Sequence, residues 1–201
     1  ETPLKPSSSP YGFTKQMGEQ IIQDSCIANP NFRAILLRYF NPVGAHPTAQ
    51  IGEYPQGIPQ NLVPFLTQTV IGKRPILKVF GSDYDTPDGT CIRDYIHVMD
   101  LAQAHIESLN HLISSSQSPS CEIFNVGTGT GASVLELIQA FEDATGEKVP
   151  YTLSAPRAGD TVVAFADVTK IERKLGWKAQ YTLHEALKSA WDWEKQIDKN
   201  P

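Results

Sequence analysis

"FRAILLRYF", Phe32–Phe40, decides the fold class. It is an apolar run of strand length, and a strand buried on both faces is what a parallel sheet covered by helices produces. Just upstream, Ser8 or Ser9 can cap a helix whose first turn holds Pro10. Apolar residues then recur at Met17, Ile21, Ile22 and Cys26, which predicts a helix over about Pro10–Ala28. Helix followed by buried strand is half of a βαβ unit.

The alternation continues downstream. "NPVGAHPTAQIGEYPQGIP" (Asn41–Pro59) has no periodicity, and loops of that length in compact domains usually carry function. After it, "NLVPFLTQTVIG" fits a helix, "ILKVFG" a strand and "HVMDLAQAHIESLNHLI" (His97–Ile113) a long helix. "EIFNVG" reads as another buried strand, "SVLELIQAFEDATG" as a helix stopped by Gly146, and "VPYTLS" as a short strand. Two helices close the chain, near Asp167–Leu175 and Leu183–Ile197. Helices and strands that alternate throughout define an α/β protein. The one short biased tract is the loop "SSSQSPS".

A chain of 201 residues with 40% hydrophobic residues can bury a real core in one large domain or two small ones. The net charge of -5, with no clustered Lys and Arg, excludes a nucleic-acid surface but leaves room for a small anion gripped by one or two arginines. No apolar run reaches the roughly 18 residues that cross a bilayer, and no basic-then-apolar leader opens the sequence. A soluble, cytoplasmic protein is expected, without membrane partners. Cys26, Cys91 and Cys121 are odd in number and widely spaced, which suits reduced, buried thiols better than disulfides or zinc. The first residue is Glu1 rather than Met, in the loop-like "ETPLKPSSSP", so a fragment or processed product is expected.

Among the motifs, "SPYGFTKQMGE" (Ser9–Glu19) places Tyr11 and Lys15 one helical turn apart. An ammonium beside a phenol favours phenolate, which a tyrosine general base requires, although this spacing also arises by chance on surface helices. "NVGTGTGAS" sets Gly127, Gly129 and Gly131 between a strand and a helix and resembles a phosphate cradle. Its third glycine arrives one place early, and the next strand, "VPYTLS", lacks the acid of a dinucleotide fingerprint, so a tight turn is expected. "DYDTPDG" (Asp83–Gly89) fails as a calcium loop, with Pro87 at the fifth position and Asp94 rather than Glu at the twelfth. His46, His97, His105, His111 and His184 have no metal-ligand spacing and read as capping or surface residues. No metal is expected. Arg93 in "CIRDYIHV" and Arg157 in "APRAGD" stand in loop-like contexts suited to phosphate, or to ordinary ion pairs.

Taken together, "YGFTK", "LLRYFNPVGAHP", "GIPQNLVPF", "VFGSDYDTPDGTCIRDYIHVMDLAQAH", "FNVGTGTGASVLEL" and "RAGD" resemble, in order and over nearly the whole chain, the UDP-glucose 4-epimerase family of extended short-chain dehydrogenases/reductases. The resemblance implies part of a Rossmann-like doubly wound parallel sheet that binds NAD(P), with a smaller C-terminal α/β substrate-binding domain. Residues 1–45 would be the C-terminal part of the NAD-binding domain, with later segments returning to it, and 46–201 mainly the UDP-sugar domain. It implies NAD as a bound cofactor and a UDP-hexose as substrate, interconverting UDP-glucose and UDP-galactose through transient oxidation at sugar C4.

By the same resemblance Tyr11 is the base at the sugar 4-hydroxyl, Lys15 binds the nicotinamide ribose, and Phe40 lies beside the nicotinamide. Asn41 contacts pyrophosphate or substrate, and Asn61 with Leu62 opens a helix that meets the UDP phosphates. Lys78, Val79 and Phe80 run along uracil, Arg93 and Arg157 clamp the pyrophosphate, and Asp160 accepts from the ribose hydroxyls. Ala164 stands where plain-hexose members carry a bulky Tyr, which implies that UDP-N-acetylhexosamines are accepted too. The family's glycine-rich NAD turn and its Ser or Thr partner fall upstream of Glu1, so the chain alone is expected to be inactive and to leave an unpaired sheet edge. The full-length protein would be a homodimer. Competing readings are a 4,6-dehydratase or uronate epimerase on the same scaffold, and a non-catalytic nucleotide-sugar-binding fragment.

Overall fold

The computed structural model describes residues 1, 7, 9–114, 120–157 and 159–199. Ser8, most of the "SSSQSPS" loop and Ala158 of "APRAGD" lie outside the described residues. The first helix, α1 (Pro10–Ala28), starts where the sequence places it: the Ser9 side chain accepts from the Gly12 N–H at 3.1 Å, with Pro10 in the first turn. Then β1 (Ala34–Tyr39) pairs in parallel with β6 (Cys121–Val126), from Ala34 opposite Cys121 to Tyr39 opposite Val126.

At Phe40 the chain changes partners. The next three residues, β2 (Asn41–Val43), pair in parallel with β5 (Tyr95–His97) instead of β6. Phe40 therefore sits at a joint between two ladders, its N–H bonded to the Val126 carbonyl at 3.2 Å and the following Asn41 N–H to the Asp94 carbonyl at 3.0 Å. A third parallel pair joins β3 (Leu77–Phe80) to β8 (Tyr151–Ser154). The last sheet has three strands of two residues each, with β4 (Ile92–Arg93) between antiparallel β7 (Ala132–Ser133) and parallel β9 (Val163–Ala164).

Two apolar clusters hold these pieces. One joins α2 (Leu62–Val70), α4 (Val134–Thr145) and α6 (Leu183–Lys199) to β3, through Leu66, Val79, Phe141, Leu187 and Trp191. Phe141 meets Trp191 edge-on at a centroid distance of 5.9 Å. The other packs α3 (Val98–Ser114) and α5 (Thr169–Leu175) against β1 and β6, through Leu101, Phe124, Val126, Ile171 and Trp177. The result is mixed α/β with mostly parallel pairing, as the alternation of elements requires. No helix among the described residues is long and apolar enough to cross a membrane.

Two expectations change, and one pair of alternatives resolves. The strand at Phe32–Phe40 is half-buried rather than buried on both faces: no residue of Ala34–Tyr39 is fully buried, Tyr39 is exposed, and among the described residues β1 pairs with β6 alone. The aperiodic stretch after it begins as β2, and its remainder is pinned by the Ala45 N–H to Ser189 Oγ (3.0 Å) and by Trp193 Nε1 to the Glu53 carbonyl (2.8 Å). His97 takes the capping alternative rather than the surface one: it is 2% exposed, stacked on Tyr181 at 4.2 Å, and its Nδ1 caps α3 by accepting from the Met99 N–H at 3.0 Å. That acceptor role places the ring proton on Nε2, facing Ser189 Oγ at 3.2 Å.

Candidate functional site

Tyr11 and Lys15 come together as their spacing dictates. The Lys15 ammonium lies over the Tyr11 ring, 5.1 Å from its centroid, and the phenol is 72% exposed at the first turn of α1. By contrast the phenol of Tyr95, on β5, is pushed up to about 12 by burial, which the nearby Arg93 only partly offsets. Of these two tyrosines, Tyr11 is the one open to a ligand.

A cleft of about 370 Å³ opens beside the joint at Phe40, lined by Arg38, Tyr39, Phe40, Asn125, Phe165 and Asp167. Arg38 forms a two-pronged pair with Glu19 of α1, at 2.8 and 2.7 Å, which ties the helix carrying Tyr11 to the strand that ends at Phe40.

A second group forms at the end of β3. Lys78 is exposed, Val79 is buried in the core at 1% exposure, and Phe80 is half-buried. Since β8 takes one edge of β3, the other edge has no strand partner among the described residues, and its main-chain groups can read a flat amide edge. The Val79 side chain serves packing and its main chain lies on the β8 side, like those of Leu77 and Gly81, which bond to Pro150 and Ser154, so the open edge is offered by Lys78 and Phe80. Arg157 lies over the Phe80 ring, 4.9 Å from the centroid, and forks onto Asp160 with Nε to Oδ2 at 3.1 Å and Nη2 to Oδ1 at 3.0 Å. Residues far apart in sequence thus converge.

The third group surrounds Asp94. Arg93 stands opposite Ala164 in the β4–β9 register, and its Nη1 donates to the Ile92 carbonyl at 2.8 Å. The Asp94 N–H donates to the Ala164 carbonyl at 3.1 Å, while the Asp94 carbonyl accepts from Asn41. Asn61 stands elsewhere, as the N-cap of α2 without a side-chain cap bond; its Nδ2 donates to Glu53 Oε1 at 2.8 Å, and Leu62 is the first helical residue.

The glycine-rich turn is occupied from within. Asp94 is fully buried, and its carboxylate accepts from the Thr128 N–H (2.9 Å), Thr128 Oγ1 (2.7 Å), the Gly129 N–H (3.1 Å) and the Ala166 N–H (3.1 Å). A run of backbone N–H groups around an anion is what "NVGTGTGAS" suggested, but the anion is the protein's own. The helix that follows is closed as well: Ser133 and Glu136 form a capping box, and the Val134 N–H donates to Thr90 Oγ1 at 3.1 Å.

The "DYDTPDG" turn serves the same helix. Asp88 accepts from the Thr90 N–H (2.9 Å) and Oγ1 (2.7 Å) and from Ser133 Oγ. Burial is the largest single influence on the Asp88 carboxyl and raises it, but the bonds from Ser133 and Thr90 together prevail and hold it below its ordinary value. Among the described residues no group of three or more His, Cys, Asp or Glu side chains is placed to hold a metal ion. The thiols of Cys26 and Cys91 are buried; that of Cys121 is half-buried and pushed up to about 11, first by desolvation and then by Cys26.

Sequence reasoning missed Asp94, Glu53 and Phe165. Asp94 had been weighed only as a calcium position, and nothing local marks a carboxylate whose partners lie more than thirty residues away.

Known proteins resemble the chain along its length. Residues 1–190 match the family model described as GDP-mannose 4,6 dehydratase. UDP-glucose 4-epimerase 1 of Oryza sativa subsp. japonica is 49% identical over all 201 residues, which cover 56% of that protein. The solved UDP-glucose 4-epimerase of Stenotrophomonas maltophila, with bound NAD and formylated UDP-arabinopyranose, superposes with a TM-score of 0.95 at 44% identity, over 100% of this chain and 59% of its own. That of Bifidobacterium longum, in complex with NAD+ and UDP, gives 0.92 at 43% identity with the same coverage. The chain spans about half the length of the curated relatives it matches.

Proposed function

The chain belongs to the GDP-mannose 4,6-dehydratase family of nucleotide-sugar enzymes, and from that premise we propose that it forms part of a UDP-glucose 4-epimerase, which interconverts UDP-glucose and UDP-galactose. The observation that carries this reading is the convergence of Phe80, Arg157 and Asp160 at the open edge of β3. An aromatic ring, a guanidinium and a carboxylate beside free main-chain groups suit, in turn, a uracil, a diphosphate and a ribose diol.

In the ligand-free protein Arg157 and Asp160 hold each other. Arg157 is 59% exposed, so the pair is worth about 0–1 kcal/mol, and a nucleotide offering both an anion and hydroxyl donors can claim each partner. Arg93 supplies a second cation for the diphosphate, Asn41 a contact beside it, and Asn61 with Leu62 the start of α2. Lys78 and Phe80 offer their main chain to the base, and Val79 holds the strand between them in the core. With the nucleotide fixed in this way the sugar is held loosely enough to turn over between two faces.

The residues present fit their side of an NAD site. Tyr11 and Lys15 offer a phenol and an ammonium on one exposed turn, and Phe40 lines the cleft at the end of β1. When bound, NAD supplies a reversible hydride acceptor for sugar C4, so the net reaction involves no redox change. Tyr11 Oη takes the proton of the sugar 4-hydroxyl and returns it, Lys15 offers its ammonium to the nicotinamide ribose, and Phe40 lies beside the nicotinamide.

On the same reading residues 1–45 belong to the NAD-binding domain, with α3, β6 and α5 returning to it, and 46–201 otherwise form the UDP-sugar domain; the two apolar clusters support that division. A cytoplasmic homodimer completes the picture. Phe13, Met17 and Ile21 form an exposed i,i+4 stripe on α1 that needs a covering surface. Ala164 leaves space beside the sugar, so UDP-N-acetylglucosamine should turn over within about tenfold of UDP-glucose; a larger loss would count against the open pocket. The reading as a whole is tested by assaying the full-length protein, purified with its bound nucleotide, for conversion of UDP-galactose to UDP-glucose. Absence of turnover while NAD is bound would move the activity to another nucleotide sugar.

A further inference from the structure

The sheet that carries Arg93 and Ala164 is too small to hold itself. Each of β4, β7 and β9 is two residues long, and ladders of that length contribute few hydrogen bonds. Asp94 follows β4 directly, Gly129 and Thr128 lie just before β7, and Ala166 lies two residues beyond β9. The Asp94 carboxylate bonds to all of these, and so ties together the ends of all three strands. Its own peptide group extends the tie, the N–H to Ala164 and the carbonyl to Asn41.

Gly127 completes the fit. A Cβ at Gly127 would overlap Asp94 Oδ2 and the Ala166 methyl, so the carboxylate lies flush against the turn's backbone. A lost oxygen acceptor here leaves buried N–H groups unpaired, and the segment must shift to find other partners. A small displacement of Arg93 relative to Asn41 then matters, because ligand groups gripped at several points tolerate little misplacement.

We propose that Asp94 is a positioning residue: as the resident anion of the Gly127–Gly131 turn, it fixes Asn41, Arg93 and Ala164 relative to one another for the diphosphate and sugar of the substrate. This rests on the epimerase reading for the identity of that substrate. Asp94 itself touches no reacting atom; it acts through the residues bonded to it.

The test uses the full-length protein and UDP as the probe, with calorimetric affinity read beside steady-state kinetics. Asp94→Asn replaces one carboxylate oxygen by an NH2 that cannot accept from backbone N–H groups. Gly127→Ala keeps the carboxylate but drives a methyl against its Oδ2 and the Ala166 methyl. Both should weaken UDP binding by roughly tenfold and raise KM by a similar factor, with kcat changed less. Thr128→Val, which removes one donor, should shift affinity in the same direction, and Thr128→Ser, which keeps the hydroxyl, should restore it. If Asp94→Asn does not fold, Gly127→Ala and the Thr128 pair decide. Folded variants whose UDP affinity and KM equal those of wild type, with only the melting temperature lowered, would overturn the proposal and leave Asp94 a structural residue. Wild-type protein that binds no UDP would instead overturn the functional reading, and this inference with it.

Discussion

Asp94 and His97 lie three residues apart and both are buried, yet they meet the cost of burial in opposite ways. Asp94 surrounds its carboxylate with donors. His97 accepts from Met99 and faces Ser189, and burial lowers its imidazole below the ordinary 6.5 despite the carboxylates of Asp100 and Glu185 nearby. The sign follows: the unfolded chain takes up a proton that folded His97 resists, so the stabilisation is complete above about pH 6.5 and is lost as the pH falls through the lower, folded value. We expect the melting temperature to drop between pH 7 and 5, and the drop to be smaller in His97→Gln than in wild type. Equal slopes would assign the acid sensitivity to other groups. The residue pair legible in sequence was the local one, Tyr11 with Lys15, four apart; Arg157 and Asp160 were marked singly, by resemblance, and not as partners. Phe80 beneath Arg157, and Asp94 within the glycine turn, depend on chain segments meeting from a distance, and no window of sequence contains them.

Elements were legible in proportion to their length. Helix α1 has the bounds its cap, its proline and its apolar recurrence predict, and Gly146 ends α4 in a left-handed conformation at φ 77 as a C-terminal glycine should. The two-residue strands β4, β7 and β9 escaped, because a period of two needs more than two residues to be seen. At this scale Ser133 is the informative position, since it caps α4, bonds to Asp88 and is itself 2% exposed. Ser133→Ala should destabilise the protein by about 1–2 kcal/mol in denaturant unfolding. A change within a few tenths would mean that water or Glu136 alone satisfies the helix end.

At the scale of the molecule, among the described residues β1 pairs with a strand on one side only, and α1 exposes Phe13, Met17 and Ile21. An open strand edge beside an apolar stripe invites association. The 201-residue chain on its own should therefore elute as oligomers or aggregate in size-exclusion chromatography with light scattering, whereas a monodisperse monomer with a cooperative melt would contradict that expectation. The class of the fold was legible because alternating helices and buried runs admit few architectures. The handover of the chain from β6 to β5 at Phe40, which places the cleft, was not, since strand partners are chosen across the whole sequence. The central claim is that Tyr11 moves the proton in a sugar bound through its UDP, and the most direct measurement is turnover of UDP-galactose by full-length wild type and Tyr11→Phe, with UDP affinity measured on both. The account predicts a loss of roughly 10²–10⁴ in kcat with UDP affinity unchanged. A Tyr11→Phe enzyme that turns over at the wild-type rate would contradict it.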